Sequence, residues 1–181
     1  MQTPRQPRPG QTGRGLKTHM FRQALYEISR SLQLNLDPSI VALHGLRSLI
    51  KATESDSGLA FSYNPVADQL ELVAAEGVTS RYLEEVEKLI NGPSLARYVV
   101  ESRQGVLIED IQKDARSAIK ASKIEGLRST IVMPLLIEDR CLGAIVIFCR
   151  EAGRYDSSDF DLVSAAASNI ARCFFKVAAI A

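Results

Sequence analysis

Asp110, Lys113, Asp114, Arg116, Lys120, Lys123, Glu125 and Arg128 crowd one stretch of this chain, between two apolar runs. A guanidinium offers a planar fork of N–H donors that grips a carboxylate or phosphate through two bonds. Arg116 or Arg128 could therefore meet an anionic group, with Ser129 and backbone amides adding hydrogen bonds. A plainer arrangement uses the same residues: Asp110 caps the helix that follows it, and Arg116 pairs with Asp110 to pin the connection down. Catalytic sets of other kinds are missing from the sequence. There is no Ser-His-Asp set, Gly-rich phosphate loop or paired-carboxylate site, so no enzymatic activity is expected. His44 lies between apolar neighbours with no second ligand at metal-binding spacing. Cys141, Cys149 and Cys173 make an odd count with no secretory signal, which reads as reduced thiols in a cytoplasmic protein.

Composition narrows the classes further. With 181 residues, 46% of them hydrophobic, the chain can bury one good core. Apolar runs fall short of the roughly 18 residues that cross a bilayer, so no membrane partner is expected. The formal charge of +1 gives no reason to expect nucleic acid. Charge is unevenly spread: Arg5, Arg8, Arg14, Lys17 and Arg22 occupy the first 26 residues without an acid, and without them 17 basic and 21 acidic residues remain, a net of −4. Pro4, Pro7, Pro9, Gly10, Gly13 and Gly15 accompany the early charges with almost nothing apolar, so residues 1–19 are expected to be an unordered basic tail.

The charged stretch must be positioned by the elements on either side. Ile131 to Ile137 and Leu142 to Phe148 are β-branched runs separated by Glu138-Asp139-Arg140, the pattern of an antiparallel hairpin. Their near-continuous hydrophobicity predicts strands in mid-sheet with both faces covered. Pro134 lacks a ladder donor and predicts a lapse in pairing, a natural place for a pocket. Upstream, Phe21, Leu25, Ile28 and Leu32 mark one helix, and Asp37-Pro38 opens a second containing Val41, Leu46 and Leu49. A hairpin follows from Gly58 to Glu76 around Asn64-Pro65. Ser80 is expected to cap a helix to about Ile90, and another helix spans Ser94 to Ser102 before the short strand Val106 to Ile108. Asp156 caps a last helix to about Val177.

Several of these stretches together resemble the GAF domain family: Val106-Leu107-Ile108-Glu109-Asp110, Asp114-Ala115-Arg116, Gly126-Leu127-Arg128-Ser129 with Met133-Pro134-Leu135, Leu142-Gly143-Ala144-Ile145, and Tyr155-Asp156. The resemblance runs from about Phe21 to Lys176. It implies an α/β (α+β) fold with an antiparallel sheet of five or six strands and helices on both faces, as a single domain over residues 20–178. It also makes the charged stretch a lid over a pocket floored by the sheet, with Asp110, Arg116, Arg128, Ser129 and Met133 as the ligand-binding positions.

Family ligands can be compared residue by residue. Where relatives that bind cyclic nucleotides resemble one another in Asn-Lys, Phe and Asp-Glu, this chain has Cys149-Arg150, Tyr155 and Asp159-Phe160, so only Asp159 corresponds. Bilin-binding relatives use a cysteine that Asp110 to Glu125 lacks, and neither His19 nor His44 suits haem. Reductases of free methionine sulfoxide carry a catalytic cysteine where this chain has Ala121-Ser122-Lys123-Ile124. The cofactor, if any, stays unknown. The resemblance implies a bacterial sensory or regulatory module for an unidentified small molecule, with an output domain such as a histidine kinase, cyclase or transcription activator as partner. The alternatives left open are a ligand-free dimerisation scaffold and a reductase. A homodimer is expected through seams at Phe21, Leu25, Ile28 and Leu32 and at Val163, Ala166, Ile170, Cys173 and Val177.

Overall fold

The computed structural model describes residues 11–33, 37–116 and 119–178. Helices α1 (Gln11–Gln33) and α2 (Pro38–Thr53) lead into the hairpin β1 (Ser57–Asn64) and β2 (Gln69–Glu76). Helices α3 (Ser80–Leu89) and α4 (Leu95–Ser102) precede the short β3 (Val106–Ile108) and α5 (Ile119–Ile124). The chain closes with β4 (Ser129–Ile137), β5 (Arg140–Cys149) and α6 (Ser157–Ala178). Five strands form one antiparallel sheet in the order β2-β1-β5-β4-β3, as the sequence leads one to expect.

Period-two geometry explains how β5 can be apolar at nearly every position. Ile145, Ile147 and Cys149 face a layer built from α1, α2 and α6, where Ile28, Leu46, Leu49, Val163 and Ile170 are fully buried. Ala144, Val146 and Phe148 face the other way, toward Tyr82 and Val86 of α3 and Leu95 and Val99 of α4. Pro134 sits in β4 opposite Ala144, beside a register shift before Leu136. Strand β3 ends its pairing at Val132, so the missing donor interrupts no β3–β4 ladder. The pairing does lapse there, but the cavity described below opens elsewhere.

Local capping agrees with the residue chemistry. The Asp37 carboxylate accepts from Ser39 N at 2.8 Å, with Pro38 in the first turn of α2. Helix α3 is capped by Thr79 in place of Ser80, its hydroxyl accepting from Tyr82 N. At α6, Asp156 accepts from the amides of Ser158 and Asp159, while the Asp159 carboxylate accepts from Asp156 N at 3.0 Å, a reciprocal capping box.

Two expectations need correction. Helix α1 begins at Gln11, so residues 11–19 are helical where composition alone suggested an unordered tail. A long-range contact ties this segment to α6. Lys17 Nζ lies 2.9 Å from Asp156 and 3.0 Å from the wholly buried Asp159 carboxylate, in ionic contact with the latter although out of line for a hydrogen bond to it. It also stands over the Phe21 ring. The second correction concerns the seams assigned to a dimer. Ile28, Val163, Ala166 and Ile170 are all at 0% exposure within a single chain, packed on its own sheet and helices. Residues 1–10 and the side chains of Leu32, Lys120, Lys176 and Val177 lie outside the described residues.

The β1–β5 junction depends on one glycine. Gly143 has φ +155, and a Cβ there would stand 1.9 Å from the Phe61 carbonyl oxygen, a backbone atom held in the ladder. Gly143→Ala should lose about 2–4 kcal/mol in urea denaturation, from backbone strain and overpacking combined. An unchanged midpoint would show that the two strands can part there without loss.

Candidate functional site

Leu59 and Phe61 of β1 and Val146 and Phe148 of β5 share one face of the sheet, and a cavity of about 80 Å³ lies over them. Counting its open mouth, the empty space reaches about 590 Å³. Helix α3 forms one wall because its apolar residues fall on one side: Tyr82, Val86 and Leu89 turn inward, and Glu84, Glu87 and Lys88 are exposed. Leu95 and Ala96 of α4 form another wall, and Ile111, Ala121 and Ser122 enter from the β3–β4 connection. The Tyr82 and Phe148 rings meet edge to face, with centroids 6.3 Å apart and planes at 82°. Burial pushes the Tyr82 phenol far above its ordinary range, so it stays neutral. Ser94 brings the hydroxyl that caps α4, accepting from Arg97 N at 3.2 Å.

The charged connection lies beside this cavity, and its charges are spent largely on one another. Arg128 donates to both carboxylate oxygens of Asp110, Nε at 3.0 Å and Nη2 at 2.7 Å. With 11% of the Asp110 side chain exposed, the Arg128 bonds and a further one from Gln112 N hold its pKa down at about 2, against the opposing effect of desolvation. Arg128 also fixes the backbone, its carbonyl accepting from Ile111 N at 2.6 Å and its amide donating to Cys149 O at 2.8 Å. Arg116 makes a second fork on Asp114, with Nε at 2.9 Å and Nη2 at 2.6 Å, and its guanidinium lies 4.6 Å from the Tyr98 ring centroid. At the far end, Glu125 accepts from Thr79 N at 2.9 Å and from Arg150 Nη2 at 3.3 Å. Arg150 reaches on to Asp56 at 3.0 Å. The connection is thereby tied to the start of α3, the end of β5 and the entry to β1.

The structure brings Asp110 and Arg128 together and gives Arg116 to Asp114, so the pairing of Arg116 with Asp110 is not formed. Ser129 is fully buried and donates to Glu151 O at 2.7 Å. Met133 belongs to the opposite core, beside Gly105 and Phe160. None of these five residues lines the cavity. Sequence reasoning passed over Phe61, Tyr82, Ser94 and Phe148 as cavity residues. The available signal was the alternation in β1 and β5 and the two-sided α3, but a cavity wall and a filled core share that pattern.

Other chemistry is sparse. Cys141 is half-buried and donates to Gly143 O at 3.4 Å, while Cys149 and Cys173 are buried. Burial pushes the Cys141 and Cys149 thiols up. Among the described residues no group of His, Cys, Asp and Glu could hold a metal ion, and no helix is long and apolar enough to cross a membrane. A second cleft, of about 470 Å³, runs between α1 and the first turn of α6 past Phe21, and its Lys17 and Asp156 are paired with each other.

Solved structures share the fold at low identity. The GAF domain of a phosphoenolpyruvate-protein phosphotransferase from Coxiella burnetii matches with TM-score 0.77 and 18% identity, over 88% of this chain and 95% of that one. A free methionine-R-sulfoxide reductase from Neisseria meningitidis, in complex with its substrate, gives 0.73 and 16%, over 89% and 92%. The GAF domain of the cyanobacteriochrome TePixJ gives 0.63 and 15%, over 78% and 91%. No protein of curated function matches the sequence. The GAF domain profile matches residues 35–174, from just before α2 through most of α6, and with that span and the five-stranded sheet between two helical layers the chain belongs to the GAF domain family.

Proposed function

We propose that this chain is a non-catalytic sensory or regulatory module of a bacterial signalling protein. It takes a small molecule into the cavity over β1 and β5 and passes its occupancy to an output partner through α1 and α6. A histidine kinase, cyclase or transcription activator is the kind of partner meant. The observation that carries this reading is the cavity itself, an apolar space whose wall includes a connection latched by ion pairs. A reductase role draws support from two structural neighbours, yet none of the thiols lines the cavity. Cys149 faces the other core, and a thiol raised by burial is a poor source of thiolate. The scaffold alternative has its pocket filled by the chain's own side chains, and the open space over β1 and β5 weighs against it.

Native mass spectrometry of the full chain, after incubation with a small-metabolite extract, tests the proposal. A discrete mass increment should appear and should vanish in Ala96→Leu, whose longer side chain fills the cavity. A chain that retains nothing would favour the scaffold reading.

A homodimer belongs to the proposal only on the outward side of α1, because the inward side is consumed by the fold. Tyr26 supports that face, being 67% exposed beside Arg22, Gln23 and Arg30. In sedimentation equilibrium a micromolar dimer should weaken about tenfold or more in Tyr26→Glu, a change of at least about 1.4 kcal/mol. A monomeric unmutated chain would remove the dimer from the reading.

The latch gives a pH dependence with a definite sign. Asp110 has a folded pKa of about 2, below the ordinary carboxylate value near 4, so its pair with Arg128 contributes stability above about pH 4 and loses it as pH falls toward 2. Arg128→Gln should lower the melting temperature at pH 7 and speed amide exchange across residues 110–128. The gap between variant and parent should close between about pH 4 and pH 2. A gap that held constant with pH would show that the pair is not the latch.

A further inference from the structure

The cavity's own chemistry specifies what it accepts. We infer that its ligand presents a small, uncharged aromatic ring, inserted between the β1–β5 floor and α3 with the rest of the molecule in the mouth. The inference rests on the proposal that the cavity binds a ligand at all, and narrows it. Among the described residues no Lys, Arg, Asp, Glu or His lines the cavity, whose lining is apolar apart from Ser94, Ser122 and the Tyr82 hydroxyl. The nearby arginines do not change this, since Arg116 and Arg128 have their forks on Asp114 and Asp110 and neither lines the space. An ionised group placed there would leave water without a partner of opposite charge, which disfavours carboxylates, phosphates and amino-acid zwitterions.

Size and shape select the ring. An apolar cavity of about 150 Å³ stays dry and takes up benzene. The inner space here is about 80 Å³, roughly half of that, so one ring more than fills it and the rest of the ligand lies in the open mouth, within a total of about 590 Å³ that includes solvent. Phe61, Tyr82 and Phe148 supply three aromatic walls, and the edge-to-face meeting of Tyr82 with Phe148 shows the geometry a third ring could join. Ser94 Oγ already accepts from Arg97 N, and that bond leaves its own hydrogen to donate to one acceptor on the ligand.

Toluene, phenol and benzoate separate ring recognition from charge, because the three share a ring and only benzoate is ionised at pH 7. Titration of the full chain, followed by NMR shift changes and by thermal stabilisation, should show saturable binding of toluene and phenol, with benzoate at least about tenfold weaker. Ala96→Leu should abolish binding of both neutral rings. Ala121→Val, a smaller addition from α5, should weaken it and serves if the first variant does not fold. Benzoate or cyclic GMP binding as tightly as phenol, with sensitivity to the same substitutions, would overturn the uncharged-ring class and leave the cavity reading standing. Neutral rings that bind equally well to both variants would place them outside the cavity and overturn the inference. If none of the rings, nor cyclic GMP, nor methionine sulfoxide bound, the inference would fall, and whether a metabolite adduct forms in native mass spectrometry would decide the cavity reading separately.

Discussion

Everything in this fold depends on β5 being buried on both faces. Alternate residues of one strand must satisfy two different cores, Ile145, Ile147 and Cys149 on one side and Ala144, Val146 and Phe148 on the other. An antiparallel strand in that position cannot tolerate solvent on either face, so helices must cover both. Its neighbours β1 and β4 inherit the same demand. The β4–β5 hairpin was legible for this reason: two unbroken β-branched runs with a charged break leave few other structures open. Even the proline fits, because the short β3 has ended before Pro134 is reached.

What local composition could not supply were partners far away in sequence. Residues 11–19 read as solvated because they carry Gly13, Gly15, Arg14 and Lys17 and little to bury. In the folded chain Lys17 answers a carboxylate 142 positions later, Asp159, which has no exposure of its own and sits at the start of α6. A buried anion at a helix N-terminus gains from the capping geometry, yet still favours a cation close by. The requirement arises at Asp159 and is met at Lys17, so neither stretch alone announces it. The same limit applies to the terminal helices. Apolar stripes at Ile28 and Ile170 were visible, but a stripe does not say whether it faces its own sheet or a second copy.

The candidate site shows a sharper division. The charge density between Asp110 and Arg128 marks the connection that contributes Ile111, Ala121 and Ser122 to the cavity wall, and its two arginines are forked onto carboxylates. Those carboxylates are internal, one 18 positions away and the other two. Sequence spacing cannot rank an intramolecular acid against an outside anion, since either fills the same fork. The cavity itself is walled by residues indistinguishable in type from core, and only the shape of the space between Phe61, Phe148 and α3 separates a pocket from a packed interior.

That shape also suggests how occupancy could travel. The cavity floor and the α1–α2–α6 layer share a strand: Val146 and Phe148 form the floor, while Ile145 and Ile147, the residues between and before them, press on the helices behind. A close-packed interior does not absorb a displacement of β5 within soft side chains; it transmits strain to the next layer. Behind the sheet that layer ends in the Lys17–Asp159 contact, where the two terminal helices meet. On the cavity side, Arg150 at the end of the same strand holds both Glu125 of the connection and Asp56 at the entry to β1. A ligand that bound both arrangements of β5 equally would change nothing. One that widened the gap between floor and α3 would act on the latch and on the helical layer together, because both are attached to this one strand.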